Sequence, residues 1–189
     1  MKRLLLICLL AIASKPLAAQ NVNGAIQRDF SSYSKLVSER KIDQSLEYIN
    51  PKLFELFPKD QMKSLLEAVY KLPNIEYKLG IPAITGFGEP KLVDGASYVK
   101  LEIVSPLEMK FKDMELDDES LAGMTKSFEA KFGEGNVSFD KTTGFFKVKA
   151  KKQVIASSTD KGENWKFVTV DNPKMKALLS KIIPAELLE

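Results

Sequence analysis

The chain has 189 residues, with 28 basic and 25 acidic side chains, a formal charge of +3, one cysteine and no histidine. Without histidine there can be no Ser-His-Asp triad and no histidine-held metal. The lone Cys8 excludes an internal disulfide and a thiolate zinc cluster, and Arg3, Arg28 and Arg40 are too few for an arginine-lined anion site.

Met1-Lys2-Arg3 leads into an apolar run from Leu4 to Ser14, closed by Lys15-Pro16-Leu17-Ala18-Ala19. A positive start, a short apolar stretch and small residues at the cut describe a secretory signal peptide over residues 1–19. The run is well short of the about 20 residues that span a bilayer. Cys8 follows the bulky Ile7 inside that run, so it is not a lipid-anchoring cysteine. Three basic residues, Lys2, Arg3 and Lys15, precede residue 20 and every acidic residue follows it. The expected mature chain is therefore close to neutral, which points away from nucleic acid and anionic membrane. It also lacks cysteine, and its expected location is periplasmic or secreted. No linker-like or repetitive stretch interrupts residues 20–189, which are read as one domain.

Along that domain, Ile26, Phe30, Tyr33 and Val37 recur at helical steps. Ile42, Leu46, Ile49 and Leu53 repeat the pattern, which Asn50-Pro51 breaks, and a third helix after Pro58 carries Met62, Leu65, Leu66 and Val69. The period then changes from near 3.6 to 2. Ile75, Tyr77 and Leu79 alternate with polar residues, as do Val99, Leu101 and Ile103, and then Leu107, Met109 and Phe111; these are half-buried antiparallel strands. Between them Gly80, Pro82, Gly86, Gly88 and Pro90 punctuate a stretch suited to bending or bulging an edge, and the glycines lack a phosphate-loop spacing.

Asp117-Asp118-Glu119 opens a helix bearing Leu121, Met124, Phe128 and Phe132, with Gly133 as its stop. Acids at a helix start stabilise it by about 0.3–1 kcal/mol each, so this cluster reads as a cap rather than a catalytic or metal site. Val137-Ser138-Phe139 and Phe145–Ser157 form the next strands, and Lys147, Lys149, Lys151 and Lys152 read as a solvated face. A turn and the strand Trp165–Val170 follow, then a final helix opened by Asp171-Asn172-Pro173, bearing Met175, Leu178, Leu179 and Ile182, and ended by Pro184. The scattered methionines read as core filler, so no metal and no cofactor is expected. The predicted fold class is α+β: N-terminal helices on a curved antiparallel sheet, a helix between strands, and a C-terminal helix.

Ser158, Asp160, Gly162 and Trp165 match the Asp-box pattern Ser-x-Asp-x-Gly-x-Thr-Trp, with Asn164 in place of the threonine. The resemblance implies a structural hairpin in which Asp160 bonds to the turn backbone and Trp165 packs beneath. Physical chemistry agrees, because Asp braces turns, Gly supplies positive φ, and Trp anchors the returning strand. The motif is well known in sialidases, but one copy on so short a chain does not make a six-bladed propeller. More broadly, the order of helices then strands, with Asp43-x-x-Leu46-x-Tyr48-Ile49-x-Pro51 leading to Leu53-Phe54, resembles exported members of the nuclear-transport-factor-2-like group. That resemblance implies a sheet curled around helices into a cone whose mouth holds a small ligand or a partner. The helix at 118–132 departs from the simple order. Family enzymes commonly use Asp and His in the cone, and without histidine that role does not carry over.

The reading that follows is an exported, non-catalytic domain that binds a small apolar ligand or a protein partner, with Tyr77, Tyr98 and Glu102 as candidate pocket residues. An acid/base enzyme of isomerase or dehydratase type would use Glu102 as base beside Tyr98. A structural subunit of an envelope assembly would expose a large apolar patch to an envelope protein.

Overall fold

A computed structural model describes residues 15–114 and 116–188, with side chains from residue 21 onward. The leader expected over residues 1–19 thus lies outside the described residues, apart from the backbone of 15–19. The fold is α+β: helices and a curved, unclosed antiparallel sheet of seven strands.

Among the described residues four helices come first: α1 (Lys15–Ser38), the short α2 (Ile42–Leu46) and α3 (Leu53–Leu56), and α4 (Lys59–Tyr70). The segment from Ile42 to Leu53 is broken at Asn50-Pro51 as expected, because proline cannot continue the hydrogen-bond ladder, although its first helix already ends at Leu46. Residues 48–50 instead run beside the sheet as a short parallel bridge, with Ile49 opposite Phe167 and bonds from Phe167 N to Tyr48 O at 2.8 Å and from Asn50 N to Phe167 O at 3.3 Å. The buried Asn50 side chain ties this segment down by donating to Ser157 Oγ at 2.8 Å.

Two long strands, β4 (Ala96–Phe111) and β6 (Phe145–Ser158), form the spine, paired without slip from Ser97↔Ser158 to Met109↔Phe146. On the far side of β4 the chain lies down in three pieces: β1 (Ile75–Leu79), β2 (Ala83–Phe87) and β3 (Lys91–Val93). The register shifts by one residue from each piece to the next and once more inside β2, between Ile84 and Gly86, so the Gly- and Pro-punctuated stretch bulges the edge as expected. Pro106 sits in mid-strand without breaking β4. It falls between the residues that pair with β1 and β2, opposite Gly80–Pro82, where its missing N–H interrupts no pairing. On the far side of β6 lie β5 (Val137–Asp140) and β7 (Lys166–Thr169).

Helix α5 (Asp118–Phe132) separates β4 from β5; Asp117 caps it by accepting from Ser120 N at 2.8 Å, and Gly133 ends it at φ +92°. The Ser120 side chain, and then its backbone N–H, hold the Asp117 carboxyl below its usual value. The expected C-terminal helix is shorter than its periodicity suggested: a 3-10 turn (Pro173–Met175), one turn of helix, α6 (Lys176–Leu179), and a second 3-10 turn (Ala185–Leu187).

Strand parity divides the core. On the inner face Val99, Leu101, Ile103, Val154, Ala156, Trp165 and Phe167 pack against Ile26 and Phe30 of α1. Further along the same face Met109, Val148 and Ala150 pack against Phe128 and Phe132 of α5. On the outer face Tyr98, Ile155, Val168 and Val170 are covered by Leu179, Ile182, Ile183, Leu187 and Leu188. The rest of the outer face is charged: Lys147 pairs with Asp140 at 2.9 Å and Lys78 with Glu108 at 3.9 Å. Lys78 Nζ also stands 3.8 Å from the Phe145 ring. One stripe is not covered. On α4, Leu65 is 67% exposed and Val69 48% exposed, so this helix does not turn its apolar face to the core.

The hairpin between β6 and β7 is tightly bonded. Asp160 accepts from Ser158 Oγ at 2.7 Å, Asn164 N at 3.0 Å and Asn164 Nδ2 at 2.7 Å, while Ser158 Oγ accepts from Gly162 N at 2.9 Å. Lys161 and Gly162 take the positive φ values, and Trp165 Nε1 closes the turn on Gly162 O at 3.0 Å. The bonds from Asn164 backbone, Asn164 side chain and Ser158 hold the Asp160 carboxyl far below the usual carboxylate range. α1 is stapled to this hairpin: buried Asp29 accepts from Trp165 N at 2.8 Å, and Arg28 bridges Asp29 and Glu163 O.

Candidate functional site

On its inner face the sheet is covered by α1 at one end and by α5 at the other, and a cleft of about 440 Å³ lies between them. Its position follows from α1. Ile26 and Phe30 are fully buried against the sheet, but Tyr33 and Val37, one and two turns on, are only half-buried and form one wall. The floor is Ile103, Ser105, Ala150, Val154 and Phe167. Leu79, Gly80 and Pro82, from the bulged junction of β1 and β2, line it with Pro106 and Leu107, and Phe132 with Lys131 closes the α5 end. A Cβ on Gly80 would stand 2.7 Å from Pro106 Cβ, so only glycine lets the bulge sit this close to β4.

The aromatic wall is ordered by ring contacts. Phe30 meets Phe167 edge-on at 5.2 Å, and Tyr33 stacks on Phe167 at 5.8 Å and leans on Tyr48 at 6.4 Å. Burial, with a lesser contribution from Tyr70, pushes the Tyr33 phenol up to about 12, so it stays protonated at neutral pH and can act as a donor. Two cations reach the lining: Lys131 from the last turn of α5 and Lys152 from β6, with Asp171 as the acidic lining residue.

Lys152 is the residue that strand reading misplaces. Lys147, Lys149 and Lys151 alternate onto the outer face, but Lys152 pairs with Ile103 and shares the inner face with Ala150 and Val154. The signal was in the sequence: the Lys151-Lys152 doublet breaks period-2 alternation, so the two lysines cannot share a face.

The residues singled out as pocket candidates are not brought together. Tyr77 pairs with Met109 and packs on the inner face beneath α5, outside the cleft lining. Tyr98 lies on the outer face under the C-terminal segment, where burial raises its phenol pKa. It borders a hollow of about 460 Å³ rimmed by Lys52, Asp94, Thr159 and Lys181. Glu102 shares that outer face but is exposed, across from Gln153 and Gly86. Ser158, Asp160, Gly162 and Trp165 line neither the cleft nor any group of converging acids. Among the described residues no cluster of acids is placed to hold a metal ion, and no helix is long and apolar enough to cross a membrane. No known family model matches this chain, and no curated protein is similar to it.

Proposed function

We propose that the protein is a non-catalytic binding domain that holds a small apolar molecule in the cleft between α1 and α5. The observation that carries this reading is the incomplete burial of α1 beyond Phe30, where half-buried Tyr33 and Val37 line, with Phe167, a space with an apolar floor. Its volume is in the about 300–1,000 Å³ range of small-molecule sites. The likeness to nuclear-transport-factor-2-like domains belongs to the same proposal and is supported by a curved sheet with helices over one face. Export to the periplasm or beyond is part of it too and rests on the leader sequence. An acid/base reaction in the cleft would need a base other than Glu102, which stands exposed on the opposite face.

The test is binding of N-phenyl-1-naphthylamine, a neutral dye that brightens in apolar surroundings. The folded protein should bind it, and Ser105→Phe, which places a ring on the floor, should abolish binding while the unfolding transition stays cooperative. Unchanged dye binding by that variant would place the apolar site elsewhere.

A second reading, docking to an envelope protein, draws on the exposed stripe of α4. Leu65, Leu66 and Val69 stand out from the helix, and Met62 and Leu65 border a groove of about 320 Å³ with Leu53, Phe57 and Met175. That much exposed apolar surface on one helix is a feature of interaction faces.

A further inference from the structure

Building on the small-molecule reading of the cleft, we infer that its ligand is an amphipathic monoanion, an apolar body with a carboxylate head, and that Lys152 and Lys131 hold the head. Lys152 is half-buried: Ala150 and Val154 flank it along β6, Ile103 faces it across the ladder, and it also borders a second hollow of about 480 Å³ with Glu102, Gln153 and Asp171. Its charge is not met inside the fold, because no carboxylate lies within ion-pair distance of Lys152 among the described residues. The contrast with Lys147 is direct, since that outer-face lysine has Asp140 at 2.9 Å.

The second cation, Lys131, comes to the same cleft from the end of α5, with its Nζ 5.2 Å from the Phe132 ring. Two lysines and Asp171 leave the lining with one net positive charge, which a single carboxylate balances. The lining has no arginine to grip a phosphate with a bidentate fork. Tyr33 adds a hydroxyl with no intramolecular hydrogen bond among the described residues, on the wall that meets the ligand body. The lysines therefore set the orientation: head toward Lys131 and Lys152, body against Phe30, Tyr33, Val37 and Phe167.

Displacement of N-phenyl-1-naphthylamine by decanoate and by decanol tests this, because the two compounds share a tail and differ in charge. Wild-type protein should prefer decanoate by about tenfold, as expected for one charge-assisted contact out of bulk water, and salt should erode the preference. Lys152→Gln should bring the ratio close to one, Lys131→Gln should lower it, and Lys152→Arg should retain it. Equal displacement by the two compounds in wild-type protein would overturn the inference while leaving the cleft reading in place, as would a preference that survives in the Lys131→Gln, Lys152→Gln double variant. Failure of the dye to bind at all would remove the cleft reading itself, and the inference with it.

Discussion

The two halves of α1 meet the same sheet in opposite ways. Around Asp29 the helix is locked: Ile26 and Phe30 are fully buried, Asp29 takes the Trp165 backbone N–H, and Arg28 reaches Glu163 O at 2.6 Å. Beyond Phe30 the same apolar periodicity continues through Tyr33 and Val37, but those side chains are only half-buried and line a cleft, Tyr33 while still stacked on Phe167, with Lys152, which has no ion pair, in the lining. The difference lies in polar pairing rather than in burial alone: around Asp29 the polar groups are bonded, whereas beyond Phe30 the fully buried Ser34 hydroxyl has no hydrogen-bond partner among the described residues. Where polar groups are paired the structure serves as scaffold, and where they are left open it has room for something else.

The strongest way to break the comparison is Trp165→Ala. The indole is almost fully buried and its Nε1 closes the hairpin, so its loss should cost about 3–5 kcal/mol by urea unfolding. Trp165 does not line the cleft, so dye affinity of the remaining folded protein should be unchanged. A variant of normal stability that has lost dye binding would show that the scaffold and the site are the same place.

Asp29→Ala is the next step down. It leaves the Trp165 N–H without its acceptor in a buried setting and releases Arg28, for an expected loss of about 1–3 kcal/mol. Hydrogen exchange should show faster opening of the first half of α1. A uniform change along the whole helix would mean that the two halves are not separate in the way their packing suggests.

How much of this could be read from residues alone follows the same division. The hairpin was legible because its chemistry is local: Ser158, Asp160, Gly162 and Trp165 lie within eight residues and meet one another. The α+β order, the cap at Asp117 and the bulged edge at Gly80–Pro90 were legible for the same reason. The cleft was not. Ile26, Phe30, Tyr33 and Val37 do share one helix face, but nothing in their spacing says that the last two are only half-buried. Tyr77 and Tyr98 could not be sorted onto opposite faces without the register Tyr77↔Met109, which joins strands some thirty residues apart. Lys152 was legible in principle from the doublet, but four lysines in six residues invited a single solvated face. The α4 stripe misled in the other direction: Leu65 and Val69 have the spacing of a core helix and stand in solvent.

The gentlest probe of the bonded turns is acid. Asp160 is held far below the usual carboxylate range by its bonds to Asn164 and Ser158, and Asp140, in the turn between β5 and β6, is pulled down to about 2, first by Lys147 and then by Thr143. A carboxyl whose folded pKa is depressed takes up its proton more readily when unfolded. Its contribution is therefore complete above the unfolded value of about 4 and is lost as pH falls through the folded value. The urea midpoint should thus be flat with respect to these two groups above about pH 5 and should decline from pH 4 toward 2. Asp160→Asn should flatten that decline at the β6–β7 hairpin, and Asp140→Asn should do so at the β5–β6 turn. Neither turn residue lines the cleft, and burial keeps the Tyr33 phenol protonated across this range, so the neutral dye should keep its affinity for as long as the protein stays folded. If dye binding fell with acid well before the urea midpoint did, the cleft would be coupled to these turns, and the boundary drawn at Phe30 would have to move.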